Sequence, residues 1–297
     1  MVRRMVYHNS IFTESTPVSL FNKWEPCKYA PIEEWAALPE SPLFCPRAEF
    51  FTVLRAPRCS ETTYELLCDM RDLTDLLIAY HAGLDTVVDL EMEVENTRVR
   101  LSLEDYDAQV AGICTRLAAL PSAYTPGLPT TNDWLYESCR IAAIIYAGAI
   151  LSRISFSISA EPSLNPILRD PVYMANSLAG GHLYSRPLTE ALFEALTRSN
   201  TTNIWGDMSG VLYWVASVGA AAARTPSTIN MSSTPKSRNH AHAIWIRRCL
   251  IMHATRPLLL LVFQHPVSII MAQKTLLKVQ QLTGSGESAR VFSRVGT

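Results

Sequence analysis

The chain has 297 residues and a mass of 33.1 kDa, with 48% hydrophobic and 18% charged residues and a formal charge of −1. That length can bury a substantial core in one large or two small domains. The near-zero charge removes any global electrostatic case for binding nucleic acid or an anionic membrane.

No secretory signal is expected, since Met1-Val2-Arg3-Arg4 is not followed by an apolar run of the needed length. No stretch reads as a membrane span; 208–223 is too short, and Gln264, His265 and Pro266 break 257–273. Residues 1–58 carry Pro17, Pro26, Pro31, Pro39, Pro42, Pro46 and Pro57 and little helical periodicity. They are expected to form an irregular arm packed through Trp24, Trp35, Phe50 and Phe51.

The first helix is predicted from about Ser60 to Tyr80, because Leu66, Met70, Leu73, Leu77 and Tyr80 share one face. Ser60 is a plausible N-cap, and Thr62 with Glu65 fits a capping box. A second is predicted from about Ser102 to Leu120, stopped by Pro121. A third, from about Asn132 to Ser152 with Asp133 in its first turn, is apolar nearly all round from Ile141 to Leu151. It should be the buried central helix, enclosed by those starting near Ser60, Ile204 and Ala243. Residues 155–186 are expected to be packed and partly turn-like. Pro187 opens a short helix, followed by helices at about 204–224, 243–263 with a kink at Pro257, and 266–282. The polar linker at 225–239 reads as disordered, and 284–297 as a frayed tail. The expectation is an all-α fold: a multi-helix array around a buried central helix, with a helical domain over 59–283.

Chemistry-bearing motifs are sparse. The seven cysteines are widely spaced and include no CxxC pair, which argues against a disulfide framework and a paired-cysteine zinc site. His240 and His242 lack further ligands nearby and read as a solvated linker end. Ser209 in Gly206-Asp-Met-Ser-Gly210 is off-centre and helical, unlike a nucleophile elbow. Gly284-Ser-Gly286 has no strand before it, unlike a phosphate loop. Lys236, Arg238, Arg247 and Arg248 form a basic cluster that reads as a solvated loop and helix start, with phosphate contact as the alternative. Arg140 is expected to be partly buried and paired with Glu137 or Asp207, with lining of a ligand pocket as the alternative. No catalytic residue, cofactor site or metal site is expected.

The stretches TNDWLYESCRIAAIIYAGAILSR, NPILRDPVYMANSLAGGHLYSRPL, NIWGDMSGVLYWVASVGAAAAR and WIRRCLIMHATRPLLLLVFQHPVSIIMAQKTLLKVQQL resemble the C-terminal regulatory domain of fungal-specific transcription factors. These domains accompany zinc binuclear-cluster DNA-binding domains. The resemblance spans roughly 60–282 and rests on apolar helix positions with Trp134, Glu137, Arg140, Trp205, Gly206, Asp207 and the Arg247-Arg248 pair. The six-cysteine cluster and basic linker that usually open such proteins are not in this sequence, so direct DNA contact by the family's route is not expected. The resemblance implies a nuclear protein, also cytoplasmic, that regulates transcription of a metabolic or secondary-metabolite gene cluster. It would act through other regulators or coactivators, a second copy of the chain, or a small-molecule effector. Trp134, Glu137, Arg140, Trp205 and Asp207 are then its signature or effector-pocket positions. The alternative is a helical enzyme acting on an apolar metabolite.

Overall fold

A computed structural model describes residues 2–13, 38–85, 101–169, 186–223 and 238–294, with side chains except at 2–4, 84–85, 238–240 and 285–294. The fold is all-α, and the described residues contain no strand, only an isolated bridge between Ser41 and Phe44. In chain order the helices are α1 (Val2–Thr13), α2 (Thr52–Arg55), α3 (Glu61–Asp85), α4 (Leu103–Ala119) and α5 (Trp134–Ser152). They continue as α6 (Phe156–Ser159), α7 (Leu188–Arg198), α8 (Ser209–Ala222), α9 (Arg238–Gln264) and α10 (Pro266–Arg294).

Two helices form the centre. In α5 every residue from Leu135 to Ile150 is buried, and α8 is buried along its whole length. Such helices have no polar face and must be covered on all sides. Helix α5 packs against α3, α4, α6, α7, α8 and α10. Helix α9 packs chiefly on α8, so the enclosure of α5 differs from the expected one: α3 and α8 lie against it, while α4, α7 and α10 supply walls expected from α9. By length and composition α5 could cross a membrane, but 89% of that apolar window is buried inside the protein.

Local signals fix the helix starts. Asp133 accepts from the Tyr136 amide at 3.0 Å, Ser102 from Asp105 at 3.0 Å and Ser60 from Thr63 at 3.3 Å. Helix α5 ends at Arg153, whose left-handed backbone (φ 52°) turns its amide back to Ala149 and Ile150. The following segment is pinned to α5 by buried polar groups. Asn165 donates to the Ile144 carbonyl at 3.1 Å, and Ser159 to that of Ile145 at 2.7 Å.

The ends of the chain depart from expectation. The arm predicted to be irregular opens with α1, which buries Tyr7, His8, Ile11 and Phe12 against α8 and α10. At 38–58 a buried Glu40 organises the chain: one carboxylate oxygen accepts from the amides of Phe51 (2.6 Å) and Thr52 (2.7 Å) and from the Thr52 hydroxyl (2.9 Å). Trp24 and Trp35 lie outside the described residues. The tail expected to fray from 284 is helical to Arg294. Most of the linker expected at 225–239 also lies outside them; Arg238 and Asn239 already belong to α9. Helix α9 runs continuously through Pro257.

Candidate functional site

Among the described residues, Glu137 and Arg140 form the most deeply buried ion pair. The spacing of three places them on one face of α5, within the wholly buried stretch. Arg140 Nε donates to Glu137 Oε2 at 2.9 Å and Nη2 to Oε1 at 2.7 Å. The side chains are 1% and 0% exposed. Glu137 also accepts from Ser122 Oγ and the Ala123 amide, both at 3.0 Å, which ties the 120–133 turn segment to the central helix. Burial pushes the Glu137 carboxyl up, but the Arg140 charge and these hydrogen bonds outweigh it and hold the group below its usual range. Of the two partners expected for Arg140, the structure selects Glu137; Asp207 is exposed at the start of a 3₁₀ turn.

Trp134, Trp205 and Asp207 are not gathered around this pair. Trp134, half-buried, stands edge-on to Tyr124 with Arg198 stacked 4.5 Å from its ring centre. Tyr124 donates to Glu194 at 2.8 Å, and Glu194 also binds Arg186 and Arg198. Desolvation raises the Glu194 carboxyl, and those three partners together bring it below its usual range. Trp205 is buried, and its indole donates to Ser199 Oγ at 3.2 Å. It sits in a run of positive φ at Ile204 (39°), Trp205 (61°) and Gly206 (59°). A β-branched and an aromatic residue there carry strain that the surrounding packing must hold. Arg58 supports the turn by donating to the Ser199 and Asn200 carbonyls.

The basic cluster is divided. Arg247 Nη2 donates to the Phe12 carbonyl at 3.2 Å and so anchors α1, whereas Arg248 is exposed. Lys236 and the Arg238 side chain lie outside the description. His242 stacks on Trp245 and lies 3.6 Å from Glu190. Among the described residues no three His, Cys, Asp or Glu side chains are grouped to hold a metal ion.

Nucleophile chemistry finds little support in the cysteines. Burial raises the thiols of Cys45, Cys59, Cys68, Cys139 and Cys249, that of Cys59 to about 12. A raised thiol holds little thiolate at neutral pH. An open cleft of about 460 Å³ is lined by Leu103, Asp107, Leu151, Ser152 and Arg153, with both leucines exposed.

Sequence reasoning anticipated a charged partner for Arg140 and left Glu137 and Asp207 open. It missed Glu40, whose partners Phe51 and Thr52 are amide and hydroxyl donors without a motif, and His8, buried against Tyr213 and Thr255 from the far end of the chain. No family model, curated protein or solved structure matches the chain.

Proposed function

We propose that the chain is a transcription regulator of the fungal-specific transcription factor type that acts in the nucleus through partner or effector binding. The observation that carries this reading is a division of labour between inside and outside. The buried ionisable groups are engaged in holding the scaffold: Glu137 with Arg140, and Glu40 with the Thr52 helix start. Large apolar side chains are meanwhile left on the surface, among them Trp245, Met252 and Phe263 on α9. A contiguous exposed apolar face fits binding better than chemistry. The helical-enzyme reading needs ionisable groups converging on an enclosed apolar cavity. The cleft beside Asp107 and Arg153 is instead an open surface feature.

Deletion of the gene in its host with transcript profiling of neighbouring genes is the test. Coordinate change in a contiguous set of transcripts is expected. Unchanged transcripts with loss or build-up of one metabolite would replace this reading with the enzymatic one. A fluorescent fusion excluded from the nucleus would also count against it.

A further inference from the structure

We infer that the outer face of α9 is a docking surface for an acidic amphipathic helix of a partner protein. The inference rests on the partner-binding reading above and specifies the partner's chemistry. Helix α9 is apolar on two sides. Its inner side buries Ile246, Leu250, Ala254, Leu258, Leu261 and Val262 in the core. Its outer side leaves Trp245, Met252, Leu259 and Phe263 at 49%, 61%, 43% and 73% exposure. These recur at spacings of seven, seven and four, so they form one stripe along the helix. A stripe of that period and length receives another helix side by side.

Charge selects the occupant. Residues 238–284 carry six Lys and Arg and no Asp or Glu. The whole chain has 26 basic and 27 acidic residues, so the remainder, with 20 against 27, is acidic. Arg248 and Arg256 fall within the outer stripe, both are exposed, and no described carboxylate pairs with either. A second copy laid on this face would set arginines against arginines, which disfavours that pairing. A nucleic acid would meet Trp245, Met252, Leu259 and Phe263 where phosphates need donors, and Arg247 is held by the Phe12 carbonyl. A helix with Leu or Phe along one face and Glu or Asp beside it satisfies both the apolar stripe and the arginines.

The test uses the full chain and a labelled synthetic helical peptide with a Leu/Phe face flanked by Glu, followed by fluorescence anisotropy. Saturable binding is expected, weakening with salt, and about tenfold or more tighter than for the same peptide with Lys in place of Glu. Met252→Glu should weaken it at least about tenfold without lowering the melting temperature, since the side chain is exposed. Arg248→Glu combined with Arg256→Glu should reverse the preference toward the Lys peptide. Absence of saturable binding, equal binding of both peptides, or indifference to Met252→Glu overturns the proposal. So does binding to phosphatidylserine vesicles or duplex DNA in place of the peptide, or a Met252-dependent dimer that excludes it. Peptide binding with unchanged host transcripts would keep this surface and remove the regulatory reading; the converse would remove the surface alone.

Discussion

Gly210 lies so close to Pro39 that a β-carbon on it would stand 2.2 Å from the Pro39 carbonyl oxygen and 2.6 Å from its carbon. The obstacle is backbone, and it is held by the neighbouring Glu40, whose carboxylate is fastened to Phe51 and Thr52. Gly210→Ala is therefore expected to destabilise by about 3 kcal/mol. Gly112→Ala, where a β-carbon meets nothing within 4 Å, should stabilise by roughly 0.5–1 kcal/mol. Urea midpoints of the two variants check the contrast; midpoints moving in the same direction would mean that 38–40 does not cover α8.

Removing one half of the Glu137–Arg140 pair should cost more than removing both. Glu137→Gln leaves the buried Arg140 charge without its counter-ion, at about 3–5 kcal/mol. Replacing both, as Glu137→Gln with Arg140→Met, should recover part of that loss. A double-mutant cycle by denaturant unfolding measures the coupling. Additive losses would show that the two groups act separately.

The middle of α5 should tolerate neither gain nor loss of volume. A β-carbon on Gly148 would sit 2.7 Å from Asn165 Nδ2 and from Ser159 Oγ, atoms already bound to α5 carbonyls. Gly148→Leu is expected to cost about 3 kcal/mol or more. Ile145, fully buried, should cost roughly 2–5 kcal/mol on truncation to Ala. A wild-type unfolding midpoint for either variant would displace α5 from the centre.

Burial lowers the His8 imidazole from 6.5 to about 4. The folded state holds the ring neutral between Tyr213 and Thr255, while the unfolded chain protonates it as pH drops below 6.5. The resulting stability is complete above about 6.5 and is lost as pH falls toward 4, by roughly 3 kcal/mol in all. His8→Gln should flatten the melting temperature against pH across that window. An unchanged profile would place the acid sensitivity elsewhere, with His253, also lowered by burial and by Arg256, the next group to vary.

Helices whose apolar residues repeat within one segment were legible in the sequence. The Leu66 to Tyr80 ladder and the apolar run from Ile141 to Leu151 in α5 needed no knowledge of distant contacts, although the start of α5 falls one residue on, with Asp133 as its cap. Helix α1 was not legible. Its buried positions, Tyr7, Ile11 and Phe12, are few and separated by polar residues, and no cap signal precedes them. Only packing against residues beyond 210 makes it a stable helix, and tertiary context of that kind overrides local propensity. The same limit applies to the candidate site. The cost of an unpaired buried charge called for a partner to Arg140, but choosing Glu137 over Asp207 and separating Arg247 from Arg248 required contacts that only the fold supplies, such as the distant Phe12 carbonyl.

The seat of α1 also has a consequence for how the molecule is made. Gln280 donates to the carbonyl of Ile11 across 269 residues. Helix α1 thus leaves a ribosome long before the residues that complete its binding place. Contacts of such long separation form late and slow folding, because chain closure precedes any gain from them. During synthesis the apolar face of Tyr7, Ile11 and Phe12 stays uncovered, open to chaperones, until α10 has emerged.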